Sequence, residues 1–236
     1  MIVEFIGPSG AGKTTLIRGV QRRLSERGIA CRIRTTGMGL DWENPRTRRG
    51  FGKWRERGRA VLTQPRLSLW CLFFWCRVNA RRIGSASAPL RARNMGWLLG
   101  ASYYGKAYSS DAGVQLHDEG PLKVSAALAA RSPSLMEGLV RKLSLPDLTV
   151  ALTVDPEVAF KRVHQRGQDY LSFETIAKWV KAQEKGIKIV AKWGPTFVAD
   201  TSHDEDYAEE LAELIARHYR GMTGQDDENS VVTASS

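Results

Sequence analysis

A short stretch near the start of the chain has the residue types that hold a phosphate chain. It matches GxxxxGK[ST] at every required position and consists of Gly7, Pro8, Ser9, Gly10, Ala11, Gly12, Lys13 and Thr14. Glycines let backbone N–H groups point inward around phosphate oxygens, and the N-terminus of a following helix adds unpaired donors and a positive dipole. In this motif Lys13 reaches the β- and γ-phosphates and the Thr14 hydroxyl ligates Mg²⁺. The stretch, with Thr15, therefore predicts a binding site for ATP or a closely related nucleoside triphosphate with Mg²⁺.

An acidic pair is the second group that could do chemistry. Asp118 and Glu119 follow the apolar run that begins at Val114, which we interpret as the third strand. Ligands of parallel sheets bind beyond the carboxyl ends of the strands, so we expect Asp118 beside the phosphate loop, binding the metal through water. Capping of a helix that starts at Leu122 is the alternative role for this acid. Glu119 is a candidate catalytic base that takes the proton of a hydroxyl acceptor. His117 is expected to be a packed strand residue.

Two arginines are the third group. Arg162 and Arg166 are four apart, which places them on one face of the helix predicted from Pro156 to Gln165. Phosphoryl transfer needs positive charge over the migrating group and exclusion of water. We therefore predict that residues 162–172 form a lid that closes on ATP and that both arginines are catalytic. A solvated helix face is the alternative.

The surrounding pattern predicts elements that could position these groups. The loop lies between the apolar run at residues 2–6 and a helix from Lys13 to Arg27, in which Leu16, Val20 and Leu24 recur every four residues. Further strands are predicted at 29–35, 114–118, 148–154 and 196–200, and further helices at 122–130, 135–143, 173–188 and 207–219. Strands that alternate with helices in this way indicate an α/β fold with a parallel sheet.

One strongly basic segment stands out from a nearly neutral remainder. Residues 46–93 contain 13 Lys or Arg and a single acid, Glu56, in a chain of net charge +10. The segment could bind a phosphate-rich partner or an anionic membrane surface, or simply be a solvated basic face. Tryptophan-containing helices are predicted at 67–83 and 90–107. Their apolar runs are too short to cross a bilayer. Buried helices at the edge of the sheet are the preferred interpretation, and interfacial membrane contact is the alternative.

Composition bounds the organisation of the chain. The 236 residues are 42% hydrophobic and 25% charged, which is typical of a soluble globular protein. We predict a single domain over residues 1–220, with an acceptor-side basic segment at 37–113, and a disordered tail at 221–236. Three cysteines form no metal-type pair, and the chain starts with a buried strand, not a signal core. These features favour a cytoplasmic protein.

The stretch from Leu145 to Asp169 resembles the corresponding part of thymidylate kinases. Those enzymes have a Pro-Asp-led strand, a helix started by Asp-Pro and then an RxxxRG approach to the lid, as found here. The phosphate loop, Asp118 and the strand at 197–200 also fall where that family has them. The resemblance places the chain in the P-loop nucleoside and nucleotide kinase superfamily. It implies a three-layer fold with a five-stranded parallel sheet flanked by helices, ATP·Mg²⁺ as donor, both arginines near the transferred phosphate, and residues 201–204 beside the adenine.

The acceptor side departs from that family. The chain has Arg34-Thr-Thr-Gly-Met-Gly39 where the family has an Arg-Glu-Pro-Gly-Gly type signature, and Glu119-Gly120-Pro121 where it has Arg and Ser-like residues. The predicted function is therefore transfer of the γ-phosphate of ATP to a small, phosphate-bearing acceptor such as a nucleotide, nucleoside or sugar. The alternative is a P-loop ATPase with Asp118 and Glu119 as its Walker B pair and a nucleic acid or anionic membrane on the basic segment. A homodimer and peripheral membrane contact are left open, and nucleic acid is not expected for a kinase.

Overall fold

The computed structural model of the chain describes a defined subset of its residues. These are 1–34, 62, 65, 66, 68, 69, 72, 73, 113–118, 120–122, 133–143, 145–167, 171–203 and 205–224. Glu119, most of the basic segment and residues 225–236 lie outside this set, so the predictions made for them stay predictions.

Five strands and five helices with described bounds form the framework. The strands are β1 (Ile2–Ile6), β2 (Cys31–Arg34), β3 (Val114–His117), β4 (Leu148–Thr153) and β5 (Thr196–Asp200). The helices are α1 (Lys13–Glu26), α2 (Pro133–Val140), α3 (Pro156–His164), α4 (Phe173–Val190) and α5 (Tyr207–Thr223).

The strands form one parallel sheet in the order β2-β3-β1-β4-β5. The predicted α/β fold with a five-stranded parallel sheet flanked by helices is confirmed. From the central strand β1 the chain crosses to β2 at one edge of the sheet. From β3 it later continues through β4 to β5 at the other edge. Because parallel crossovers are right-handed, these two halves put their helices on opposite faces. β1 and β3 are neighbours, so the phosphate loop and the end of β3 meet at one edge.

One face of the sheet is apolar and carries α1 and α5. Alternate residues of each strand point to it, since side chains in a strand alternate between faces. Its buried residues include Val3 and Phe5 of β1, Leu116 of β3 and Val150 of β4. Gly19 of α1 allows a close approach of α5, because a Cβ there would lie 2.9 Å from the Cβ of Ala208. We call this surface the apolar face.

The opposite face carries a row of polar residues across all five strands. The register aligns Arg34 with His117, His117 with Glu4, Glu4 with Thr149, and Thr149 with Thr196. Neighbouring strands are about 4.8 Å apart, so the members of this polar row are lateral neighbours. Glu4, His117 and Thr149 are buried at 2%, 1% and 2% exposure. His117 is thus the packed strand residue that was predicted.

Element boundaries differ from the predictions by a few residues. β2 begins at Cys31, not at residue 29, because Gly28 has φ 71° and Ile29 donates back to the carbonyl of Leu24 to close α1. β3 ends at His117, one residue before Asp118. α5 continues to Thr223 and ends at Gly224 with φ 70°, so the first residues of the predicted tail are helical.

The described residues of the basic segment are helical but not buried as predicted. Residues 62, 65, 66, 68, 69, 72 and 73 are helical. Of these, Leu69, Leu72 and Phe73 belong to the helix predicted at 67–83 and are exposed, which contradicts the burial predicted for these residues. In the described parts of the chain, no helix is both long enough and apolar enough to span a membrane.

Candidate nucleotide-binding site

The phosphate loop has the backbone conformation that its glycines predict. Gly10 and Gly12 have φ values of 85° and 72°, which L side chains rarely adopt. A Cβ on Gly10 would also lie 2.6 Å from the carbonyl oxygen of Ala159, so α3 packs directly against the loop. Gly12 is the residue before α1 and caps it without a side chain, which leaves the first N–H groups of the helix facing the loop. The loop, which lies between α1 and α3, therefore has the conformation and the free helix N-terminus that suit an anion.

The ammonium group of Lys13 lies over this loop. Its Nζ donates to the carbonyl oxygens of Gly7 at 2.9 Å and Pro8 at 2.7 Å. These contacts direct the ammonium group back across the turn instead of outward into solvent. Thr14 and Thr15 follow on the first turn of α1, Thr14 half-buried and Thr15 exposed. All the residues of the predicted motif are thus brought together.

Asp118 lies at the carboxyl end of β3, next to the strand that precedes the phosphate loop. Its backbone N–H donates to the Arg34 carbonyl oxygen at 3.2 Å, which extends the β2–β3 ladder by one residue. The side chain is only 9% exposed, and its Oδ1 is buried without a hydrogen-bond partner among the described residues. Burying a carboxylate oxygen without a partner is costly, so this atom suits a cation.

These residues fit a magnesium ion bound jointly with phosphates. Mg²⁺ prefers one or two carboxylates together with substrate phosphates and water over a dedicated protein cage. The described residues contain no cluster of three or more His, Cys, Asp or Glu that could hold a metal alone. Asp118 and the Thr14 hydroxyl are the protein groups that would hold the ion. Glu119 lies outside the described residues.

His117 is neutral near pH 7. Burial, and then the nearby positive charge of Arg34, lower its pKa from 6.5 to about 4. Its Nε2 is buried with no hydrogen-bond partner in the described part of the chain. A charged imidazole is therefore disfavoured in the polar row.

The two predicted lid arginines line a cavity of about 850 Å³ beside the phosphate loop. Its walls come from α1, from the end of α3 and the residues after it, and from the β5–α5 loop with the start of α5. They include Gly12, Thr15, Arg18, Arg22, Arg162, Arg166, Thr201 and His203. The volume lies in the range of small-molecule and cofactor sites. Gly12 and Thr15 are among its lining residues, so the cavity adjoins the end of the phosphate loop.

Thr201 connects three parts of this cavity. Its Oγ1 lies 3.2 Å from the Ala11 carbonyl oxygen and 2.9 Å from that of Thr153, and its single O–H proton is shared between them. Its own carbonyl accepts from Nη1 of Arg162 at 2.8 Å. Arg162 is therefore held at the loop that was predicted to lie beside the adenine, while Arg166 is exposed.

Ser202 extends the same connection to the start of α3. Its Oγ donates to Oδ1 of Asp200 at 2.6 Å and accepts from the backbone N–H of Asp155 at 2.8 Å. The hydrogen bonds from Ser202 lower the pKa of Asp200. Asp155 in turn caps α3 through the N–H groups of Glu157 and Val158. The phosphate loop, the start of α3 and the β5–α5 loop thus form one hydrogen-bonded unit.

Sequence reasoning missed the connecting residues of this site. Thr201 was placed near the adenine only by resemblance, and Ser202 and Arg23 carried no motif. Arg23 donates to Asp206 at 2.5 Å and Glu209 at 2.9 Å, which ties α1 to the start of α5. Glu4 had one usable signal, because it is a single acid inside an otherwise apolar strand.

Comparisons with known proteins identify the fold. No protein-family model and no curated protein matches the sequence. Among solved structures, deoxyadenosine kinase from M. mycoides with bound dATP matches with a TM-score of 0.54 and 16% identity, over 92% of this chain and 100% of that chain. The same kinase with the products dCMP and dCDP matches with a TM-score of 0.53 and 15% identity, over 94% of this chain and 100% of the other. With bound dCTP the TM-score is 0.51 and the identity 15%, over 92% and 99% of the two chains.

The chain therefore has the P-loop kinase fold of these structures. At this level of identity the likeness defines the architecture and not the substrate.

Proposed function

We propose that this protein is an ATP-dependent phosphotransferase that moves the γ-phosphate of ATP to a hydroxyl of a small acceptor of the nucleoside or nucleotide class. One observation carries the proposal: a complete phosphate loop, with Lys13 held over it, lies beside a strand whose terminal Asp118 has a buried, unpartnered oxygen. That combination suits a nucleoside triphosphate bound together with Mg²⁺.

Each group has a distinct role in this proposal. The loop N–H groups and Lys13 bind and orient the β- and γ-phosphates. Asp118 and Thr14 hold the metal, which supplies positive charge to the phosphate oxygens. Arg162 orients the donor at the β5–α5 loop, and Arg166 supplies charge from the end of α3. Little covalent chemistry is required of the protein, since positioning and electrostatics dominate phosphoryl transfer.

Three features support a nucleoside or nucleotide as the acceptor. The fold neighbours are deoxyadenosine kinases with bound dATP, dCTP and dCMP, which makes nucleosides the first acceptors to test. Glu119, one residue after Asp118, is of the type that accepts a proton from an attacking hydroxyl. The basic residues of segment 46–93 favour an acceptor that also bears phosphate. A thymidylate-kinase-like choice of acceptor is the narrower version of this proposal.

The decisive experiment uses γ-labelled ATP·Mg²⁺ with a panel of nucleosides, nucleoside monophosphates and sugars. Label on one acceptor class, separated from free phosphate, establishes the transfer. Release of free phosphate at the same rate with and without acceptors would instead favour the alternative ATPase. A Glu119→Gln variant that binds ATP but transfers slowly supports the catalytic base, and unchanged turnover of this variant removes it.

Lys13→Ala is the variant with the largest expected effect on turnover. It removes the side-chain cation from the β- and γ-phosphates, so we expect kcat to fall on the order of 10²–10³-fold, as for the loss of other transition-state donors. Steady-state kinetics with the best acceptor measure the loss. Lys192→Ala, at an exposed lysine after α4, is the matched control and should keep wild-type turnover. Wild-type kcat in Lys13→Ala would contradict the assignment of the loop.

A further inference from the structure

A buried carboxylate of the polar row lies directly against the chain segment that follows Asp118. Glu4, in the middle of β1, is 2% exposed. A Cβ built on Gly120 would overlap Cδ and both carboxylate oxygens of Glu4, all closer than the 3.0 Å that real Cβ atoms keep. The Cα of Gly120 therefore lies against the Glu4 carboxylate, on the side where any other residue would have its side chain.

Both partners of this contact are buried. Gly120, Pro121 and Leu122 all lie in the protein interior, as Glu4 does. Glu4 has His117 on one side and Thr149 on the other in the polar row. Since the interior is close-packed, an added methyl group at residue 120 must displace either the carboxylate or the segment that carries Asp118.

We propose that Glu4 is a positioning residue for Asp118, acting through Gly120. The carboxylate fixes the position of Gly120, two residues after Asp118, and through it the place where Asp118 presents its buried oxygen. This role accounts for a glycine at residue 120, where φ is not in the left-handed range, and for a long planar side chain at residue 4. The inference rests on the proposed binding of ATP and Mg²⁺ and names residues that the phosphate motif does not include.

A double-mutant cycle tests the contact. Gly120→Ala pushes the segment away, Glu4→Ala removes the carboxylate, and the double variant places the new methyl group in the vacated space. A displacement of about 1 Å at a site can cost on the order of 10²-fold in rate, so we expect a loss of that size for Gly120→Ala. The double variant should turn over at least about tenfold faster than Gly120→Ala. Such a coupling is expected only for groups in contact. Glu4→Gln keeps the shape of the side chain and should stay close to the wild type.

Nucleotide binding supplies a readout that does not depend on turnover. The affinity for a fluorescent ATP analogue is measured with Mg²⁺ and with EDTA, and the ratio of the two reports the metal site. Asp118→Asn defines the value expected when the carboxylate is lost. Gly120→Ala and Glu4→Ala should move the ratio towards that value, and the double variant should move it back.

The matched control is Gly221→Ala, because a Cβ on Gly221 of α5 would meet nothing within 4 Å. This variant should keep the wild-type ratio, and its melting temperature should not fall below that of the wild type, since Ala favours a helix over Gly. If Gly120→Ala does not fold, the test is whether the double variant recovers a cooperative unfolding transition.

The possible failures are distinguishable. A Gly120→Ala variant that matches Gly221→Ala, or a double variant no better than Gly120→Ala, would overturn the positioning role. Loss of the metal ratio in Asp118→Asn, with wild-type ratios in all the Glu4 and Gly120 variants, overturns this inference and leaves the proposed function standing. A wild-type ratio in Asp118→Asn overturns the metal assignment of the proposed function and the role of Glu4 with it.

Discussion

The two faces of the central sheet are built on different principles. The described strand residues of the apolar face are hydrophobic and pack on α1 and α5. On the other face Arg34, His117, Glu4, Thr149 and Thr196 form a polar row through the middle of the sheet. Apolar burial near 25 cal/mol per Å² stabilises the first face, whereas buried polar groups stabilise only when they are paired. The apolar face thus serves stability, whereas the polar face carries the constraint that we propose acts on Asp118 through Gly120.

The largest expected difference concerns the apolar face. Phe5 is fully buried in β1, so Phe5→Ala should lower the free energy of unfolding by about 3–5 kcal/mol, through lost transfer energy and the cavity left behind. Urea denaturation measures the change. Phe173→Ala is the control, because this half-exposed side chain makes an edge contact with Phe160 worth about 1 kcal/mol. Equal losses of unfolding free energy in the two variants would show that Phe5 of the apolar face contributes no more to stability than the half-exposed Phe173.

The next largest effect is a pH dependence of the folding stability, and it comes from His117 on the polar face. In the unfolded chain His117 binds a proton below about 6.5, whereas in the folded protein its pKa is about 4. Between these values the unfolded state binds more protons, so stability is lost as the pH falls from about 6.5 to 4. At about 1.36 kcal/mol per pKa unit the loss is at most about 3 kcal/mol.

Removal of His117 tests this dependence. Denaturation of His117→Gln between pH 7 and pH 4 should show a correspondingly smaller loss of stability than the wild type. His218→Gln, at an exposed histidine of α5, is the control and should follow the wild type. Parallel curves for all three proteins would mean that the polar row does not disfavour a charged imidazole.

The smallest effect is expected at the margin of the apolar face. Cys31 of β2 is half-buried against this core, and burial raises the pKa of its thiol to about 12, so it behaves as a small apolar group. Cys31→Val should therefore change the free energy of unfolding by less than about 1.5 kcal/mol. Cys31→Ser, which adds a stronger polar group at the same size, should be the more destabilising variant in thermal melts. The reverse order would show that residue 31 is not part of the apolar face.

Much of the donor side could be predicted from local sequence. The glycine spacing from Gly7 to Gly12, with Lys13 and Thr14, defines a backbone shape, and an apolar run and a helical stripe flank it. Asp155-Pro156 is a local signal for a helix start, and the structure has Asp155 as the N-cap of α3. Alternating patterns and short apolar runs were enough to predict the five strands, and apolar residues four apart predicted α1. Among the strands and helices with described bounds, only the ends differed, where capping decides the boundary.

The predicted chemistry at the end of β3 depended on topology. Asp118 could be proposed as a metal ligand because the carboxyl ends of parallel strands share one edge. Its buried Oδ1 could not be predicted, since burial depends on what packs over the residue. Burial was wrongly predicted for the described residues near Leu69 and Phe73 for the same reason. An apolar run does not reveal whether another element covers it.

The sequence by itself determined the phosphate loop, the order of the elements and the α/β class, since these depend on short-range spacing and on side-chain periodicity. Only the tertiary structure decided that Glu4, His117 and Thr149 share one row, that Gly120 lies on Glu4, and that Thr201 joins Ala11 to Arg162. These pairs are far apart in the chain. Their contacts follow from strand register and crossover handedness, which no local pattern contains.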